Sequence, residues 1–125
     1  MNIVLANLSP QENIINGDTK ISRLKTLHFP MGPGIIASVL QRTGRRFITY
    51  DSYVDGTTEG FLANINQEKP DVILLSFFLG NYSYRFLKEI ANTIKNINDS
   101  IIIIVGGPMA NTIPELLISK TLIDF

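Results

Sequence analysis

Asp71-Val72-Ile73-Leu74-Leu75 runs directly into Ser76, and Ile101-Ile102-Ile103-Ile104-Val105 runs directly into Gly106-Gly107. A continuous run of β-branched and other apolar residues is typical of a strand that is buried on both faces, as in a parallel sheet with helices on each side. Such sheets bind ligands beyond the carboxyl ends of their strands. We therefore expect Ser76, Gly106 and Gly107 to lie together at a binding site.

The rest of the chain alternates between strand-like and helix-like segments. Two further strands are predicted over residues 2–6 and 46–50. Helices are predicted over residues 33–44, 59–68 and 83–96, and a short last helix begins at Pro114. Alternating strands and helices indicate βαβ units with right-handed crossovers. The sequence therefore predicts a three-layer α/β sandwich with a parallel, flavodoxin-like (Rossmann-like) sheet in the order 2-1-3-4.

Composition limits the classes of function. The 125 residues are enough for one domain, residues 1–125, and the formal net charge of +0 gives no reason to expect a nucleic-acid partner. There is no cysteine and one histidine, which excludes thiolate metal sites, cysteine-held iron–sulfur clusters and multi-histidine metal sites in this chain. Neither a membrane span nor a signal peptide is recognisable, so we expect a cytoplasmic protein.

The last residues, Ile123-Asp124-Phe125, fall where a fifth strand should begin. We expect this strand to be missing or truncated and the chain to be the N-terminal fragment of a longer enzyme. A missing fifth strand leaves the edge of the fourth strand bare, and bare apolar edges pair with other chains. The sequence thus predicts a homodimer through residues 101–105.

One alternative is a dinucleotide site in the segment that opens the first helix. Gly32, Gly34 and Ala37 match a GxGxxA pattern, and Asp51 follows at about the 20-residue distance that the ribose contact requires. Two details count against this interpretation. A long connection separates the glycines from the first strand, and Pro33 removes a backbone N–H that a pyrophosphate would use.

The order and spacing of three motifs resemble those of cobalamin-binding domains. That family has Asp-x-His-x-x-Gly before its first helix, Ser-x-Leu after its third strand and Gly-Gly after its fourth. Here Ser76-Phe77-Phe78 takes the second place, with Phe78 for leucine, and Gly106-Gly107 follows at the family's usual interval. The family's spacing between its first and second motifs places the first motif at residues 29–34 of this chain. There Gly34 matches the final glycine, whereas Phe29 and Met31 replace the aspartate and the histidine.

The departure at the histidine resembles the N-terminal cobalamin domains of cobalamin-dependent radical S-adenosylmethionine enzymes, which lack that ligand. Val105-Gly106-Gly107-Pro108 and the terminal Ile123-Asp124-Phe125 are similar to that group, and the resemblance covers residues 1–125. It implies a parent enzyme of the methyltransferase or anaerobic magnesium-protoporphyrin monomethyl ester cyclase type. The chain has no Cys-x-x-x-Cys-x-x-Cys, so S-adenosylmethionine and the iron–sulfur cluster would belong to a radical S-adenosylmethionine domain of that parent.

The resemblance also implies which residues hold cobalamin. The nucleotide tail of the cofactor would slide between sheet and helices, with the Ser76 hydroxyl bonding to its benzimidazole nitrogen. The glycines would admit this bulky group, and the corrin would lie across the strand ends. The implied cofactor-binding residues are Met31, Gly34, Asp51, Ser76, Phe78, Gly106, Gly107 and Pro108. His28 lies near the expected position of the axial cobalt ligand, but three residues too early in the sequence. Besides cobalamin binding and dinucleotide binding, a third possible function is that of an interaction domain with an empty site.

Overall fold

The fold is known from a computed structural model that describes residues 1–8, 31–52, 54–55, 58–77 and 81–125. Its strands and helices alternate along the chain. The strands are β1 (Ile3–Asn7), β2 (Phe47–Asp51), β3 (Val72–Ser76) and β4 (Ile102–Gly106). The helices are α1 (Met31–Arg42), α2 (Thr58–Glu68), α3 (Asn81–Ile97), α4 (Pro108–Thr112) and α5 (Pro114–Lys120).

The four strands form one parallel sheet in the order β2-β1-β3-β4, with helices on both sides. This confirms the predicted flavodoxin-like α/β architecture. The register places Asn7 of β1 opposite both Asp51 of β2 and Ser76 of β3. It also places Ser76 opposite Gly106 of β4. The order matters for function because the carboxyl ends of all four strands lie along one edge of the sheet.

One face of the sheet carries the main hydrophobic core. Alternate strand residues, such as Ile73 and Ile103, are fully buried on this face. They belong to one cluster with residues of α2, α3, α4 and α5, which are Phe61, Ile65, Leu87, Ile90, Ala91, Ile94, Met109 and Leu117. The periodic apolar residues of α2 and α3 therefore pack inward, as their helical spacing predicts.

The opposite face is covered less completely. Helix α1 contacts β1 there, and Ile3 and Leu5 of that strand are buried. On β4, however, Ile102 is 40% exposed. The prediction that this isoleucine run is buried on both faces is therefore wrong for β4. A run of isoleucines shows that a strand is apolar, but it does not show which of its faces a helix covers.

Helix α1 begins at Met31, two residues before the predicted start, and ends in a Schellman motif. Gly44 has a φ of 68°, its N–H donates to the Gln41 carbonyl at 3.1 Å, and the Arg45 N–H donates to the Leu40 carbonyl at 3.0 Å. No α1 residue is buried, and the side chain of Ile35 is 64% exposed. Its apolar residues thus pack less deeply than those of α2 and α3.

The segment after β4 contains one more helix than the sequence predicts. The short helix α4 follows Gly107 directly, with Pro108 in its first turn and Met109 completely buried. Helix α5 begins at Pro114, as predicted. Proline suits the first turn of a helix, so both starts have the same local cause. In the segment after β4, only Pro114 was predicted to begin a helix.

Residues 123–125 lie along the outer edge of β4. The Asp124 N–H donates to the Ile103 carbonyl at 2.9 Å, and the Val105 N–H donates to the Phe125 carbonyl at 2.8 Å. The Asp124 carboxylate accepts from the Ile103 N–H and from Lys95 Nζ, each at 2.8 Å. The premise of a bare β4 edge is therefore wrong, because the chain's own end occupies it. The homodimer through residues 101–105 stays a prediction that has lost this premise.

Candidate functional site

One residue from each strand contributes to a row across the carboxyl end of the sheet. In spatial order the row is Asp51, Asn7, Ser76 and Gly106, and all four are half-buried. Residues in register on parallel strands project to the same face. The row therefore lies on the face that α1 partly covers. The structure thus brings Ser76 and Gly106 together, as the strand ends predict.

Gly106 leaves open space within this row. A Cβ atom added at Gly106 would have no heavy atom within 4 Å, apart from its chain neighbours. Its φ lies outside the left-handed region that favours glycine. Neither backbone conformation nor packing in the described part of the chain therefore requires glycine here. The consequence of the missing side chain is an unfilled space beside Ser76.

Gly107 has a different role from its neighbour. It has a φ of 96° and a ψ of −173°, a region that is essentially restricted to glycine. A Cβ atom there would lie 2.7 Å from the Phe77 carbonyl oxygen and 3.5 Å from Ser76 Oγ. Gly107 is therefore required by the close approach of the ends of β3 and β4. The Phe77 N–H, which donates to the Gly106 carbonyl at 3.2 Å, holds the same two ends together.

A cavity of about 200 Å³ lies between the start of α1 and the ends of β1 and β2. The helix contributes small or ring-shaped side chains, and the sheet contributes both polar and apolar ones. Its lining residues are Leu5, Asn7, Pro33, Gly34, Ala37, Thr49 and Tyr50. Gly34 is half-buried in this lining, whereas Met31 is 69% exposed and borders a separate, shallow depression on the outer side of α1.

Asp51 ends β2 in a tight turn. Its N–H donates to Asp55 Oδ2 at 2.6 Å, and its carbonyl accepts from the N–H groups of Val54 and Asp55. The adjacent Ser52 N–H donates to the Asn7 carbonyl at 3.0 Å, which ties the turn to β1. The turn therefore fixes the position of Asp51 at the end of the row.

Tyr50 packs its ring against Phe61, with the ring centroids 5.2 Å apart. Burial raises the pKa of the Tyr50 phenol above its ordinary value, and the negative charges of Asp55 and Glu59 raise this pKa further. The phenol therefore stays protonated at neutral pH. The Tyr50 ring lies on the α2 side of the sheet, opposite the face that α1 partly covers.

The first turn of α1 disfavours the dinucleotide alternative. Gly32 and Gly34 both lie inside the helix, and neither has a positive φ. The fingerprint glycines of a dinucleotide site form the tight turn between strand and helix, which requires a different placement. The aspartate of that pattern, Asp51, does end β2 as expected. Gly32 and Gly34 are therefore residues of helix α1 and do not form the turn of a dinucleotide site.

Three other residues were predicted from the sequence to lie near the cofactor, and the structure describes only one of them. Phe78 and His28 lie outside the described residues. Pro108 is exposed in the first turn of α4, directly after Gly107. Asn7, which lies between Asp51 and Ser76 in the row, was not among the predicted site residues. The rule that ligands bind at the carboxyl ends of strands applies to β1 as well, and would have found it.

No helix in the described segments combines the length and the apolar character needed to cross a membrane.

The comparisons with known proteins give one assignment. No curated protein matches the chain. Residues 19–125 match the family described as the B12 binding domain, a range that includes three of the four residues of the row. This chain belongs to the B12-binding domain family.

Proposed function

We propose that the chain binds cobalamin and serves as the N-terminal, cofactor-holding domain of a cobalamin-dependent radical S-adenosylmethionine enzyme. Membership of the B12-binding family supports the first half of this proposal. The motif resemblance, with Phe29 and Met31 in place of aspartate and histidine, supports the second half. The parent reaction would be methyl transfer or an oxidative cyclisation, and bound cobalamin supplies a reactive cobalt centre for such chemistry.

The observation that carries the cobalamin proposal is the open space at Gly106. A bulky planar group can approach the backbone only where no side chain intervenes. At Gly106 nothing would contact an added Cβ, and the half-buried Ser76 lies opposite in register. The Ser76 hydroxyl both donates and accepts hydrogen bonds, so it suits a heterocyclic nitrogen of the cofactor's tail. These residues therefore fit the cofactor.

The other residues of the site have distinct roles in this proposal. Gly34 leaves space on the α1 side of the cavity, and Gly107 allows the ends of β3 and β4 to lie close together. Met31, Asp51, Phe78 and Pro108 would border the corrin. The first motif offers no histidine at its usual place, so we propose that cobalt is not ligated by a histidine from this segment.

Retention of a corrinoid tests the proposal directly. The chain is mixed with hydroxocobalamin or methylcobalamin and desalted, and the visible absorbance of the protein fraction is recorded. We expect retained corrin with a base-off spectrum. Gly106→Val should abolish retention because its side chain fills the open space, whereas Ala63→Val, which adds similar bulk on the exposed side of α2, should have no effect. No retained corrin in the unaltered chain would refute cobalamin binding.

The parent type has a separate test. If the parent is a radical S-adenosylmethionine enzyme, the reading frame beyond Phe125 should encode Cys-x-x-x-Cys-x-x-Cys. A continuation without that motif would refute the parent assignment and leave the cobalamin proposal intact.

A further inference from the structure

We infer that the cavity between α1 and the β1–β2 pair recognises a neutral carboxamide side chain of the bound corrin, with Asn7 as the recognising residue. This inference rests on the proposed cobalamin binding and names a second contact region for the same ligand. The cavity adjoins the row through Asn7, which pairs with Ser76 on one side and Asp51 on the other. A ligand that occupies the space at Gly106 therefore lies close to the mouth of this cavity.

The lining of the cavity selects against charged groups. It contains no carboxylate, ammonium or guanidinium side chain among the described residues. Its apolar walls come from Leu5, Pro33 and Ala37, and its polar side chains are those of Asn7 and Thr49. Tyr50 also borders the cavity, but its ring packs against Phe61 on the other face of the sheet. An ion in such a place loses hydration without gaining a counter-charge, which is costly. A neutral polar group avoids this cost.

Asn7 is matched to one neutral polar group in particular. A side-chain amide offers two N–H donors and a carbonyl acceptor, so two amides can exchange hydrogen bonds in both directions. Thr49 supplies a hydroxyl on the same face, because it is in register with Leu5, two residues before Asn7. The corrin ring carries primary carboxamide side chains, which have this donor and acceptor pattern. A carboxylate has acceptors only and would leave the Asn7 carbonyl without a donor.

The size of the cavity agrees with a side chain and not with a whole ligand. Its volume of about 200 Å³ is not much larger than the roughly 150 Å³ cavity that holds a single benzene. Gly34 and Ala37 create this space because neither carries a side chain long enough to reach β1. The large apolar residues of α1, Ile35 and Val39, are exposed instead.

Binding of two corrinoids tests the inference. The probes are cobalamin and dicyanocobinamide, which keeps the carboxamides but lacks the nucleotide tail. We expect Asn7→Asp to weaken the binding of both by about tenfold, because the carboxylate loses the donor of the amide and brings a charge into an apolar cavity. Thr49→Val should weaken both by about threefold and serves as the second variant if Asn7→Asp does not fold. Asn92→Asp, an exposed site on α3, is the matched control and should change neither.

The outcomes separate the inference from the function on which it rests. If the unaltered chain binds neither corrinoid, both are refuted. If it binds both and neither variant weakens binding, cobalamin binding stands and the carboxamide contact is refuted. If the variants weaken binding of cobalamin but not of dicyanocobinamide, the cavity contacts the tail and the inference is again refuted. Cobyrinic acid, in which carboxylates replace the amides, should bind the unaltered chain more weakly than dicyanocobinamide does.

Discussion

Two neighbouring glycines in this protein should respond in opposite ways to the same substitution. At Gly107 an alanine must adopt a φ of 96° and a ψ of −173°, with its Cβ 2.7 Å from the Phe77 carbonyl oxygen. At Gly106 the added methyl meets nothing within 4 Å, and the backbone has no positive φ. The pair is a matched experiment because the sequence neighbourhood and the chemical change are the same.

The size of the difference follows from known costs. A non-glycine residue in this backbone region costs about 1–3 kcal/mol. Relief of the contact with a fixed backbone oxygen costs a further 1–3 kcal/mol or so, as overpacking does elsewhere. The entropy that alanine removes from the unfolded chain, about 0.4–1 kcal/mol, favours both variants equally. We therefore expect Gly107→Ala to lower the free energy of unfolding by roughly 3 kcal/mol, and Gly106→Ala to raise it slightly or leave it unchanged.

Urea unfolding followed by circular dichroism measures both values on the same scale. For a domain of this size, 3 kcal/mol corresponds to a fall in Tm of about 12 °C. A domain stability of about 5–15 kcal/mol leaves the Gly107→Ala protein measurable. If Gly107→Ala lies within about 1 kcal/mol of the unaltered protein, or if both variants lose stability equally, the division of roles between the two glycines is wrong.

Two further predictions concern the outer strand. Burial alone would raise the pKa of Asp124, but hydrogen bonds from the Ile103 N–H and Lys95 outweigh this and lower it. A lowered folded-state pKa stabilises the protein above the unfolded pKa of about 3.9 and stops doing so as pH falls through the folded value. Asp124→Asn should therefore lower the free energy of unfolding by about 1 kcal/mol at pH 7, a value reduced by partial exposure, and by less and less as the pH falls below about 3.9. A loss in urea unfolding that does not shrink as the pH falls would contradict this. On β4, Ile103→Val should lower the free energy of unfolding by about 1 kcal/mol because Ile103 is completely buried. Ile102→Val should lower it much less, because the Ile102 side chain is 40% exposed. Equal losses of stability would show that both faces of β4 are covered.

The Gly-Gly pair at the end of β4 thus combines two functions in one short motif. Gly107 allows the chain to leave β4 beside Phe77 and enter α4, and it is required whether or not a ligand binds. Gly106 lies in the row with Ser76 and Asn7, where its missing side chain keeps space open. A substitution at Gly107 that abolishes cobalamin binding would therefore reveal little about the ligand, because it disturbs the fold. Gly106 is the position that reports on the ligand.

The sequence by itself determined the architecture. Val72–Ser76 and Ile102–Gly106 are continuous apolar runs, and the segments between strands have helical periodicity, so a parallel sheet with crossover helices follows from local patterns. The position of Ser76 beside Gly106 followed as well, because parallel strands end at one edge. The local signals were also sufficient for the Gly44 helix end and the Pro114 helix start.

Only the tertiary structure decided which faces and edges these elements cover. A run of isoleucines is equally apolar on both sides, so the exposure of Ile102 depends on how far α1 extends over the sheet. The pairing of residues 123–125 with β4 consists of backbone hydrogen bonds to Ile103 and Val105, and the Lys95–Asp124 ion pair adds a contact between residues that are far apart in the sequence. The division of roles between Gly106 and Gly107 depends on a distance between β3 and β4. Local sequence carries propensity and periodicity, whereas these contacts arise only when segments that are distant in the chain pack together.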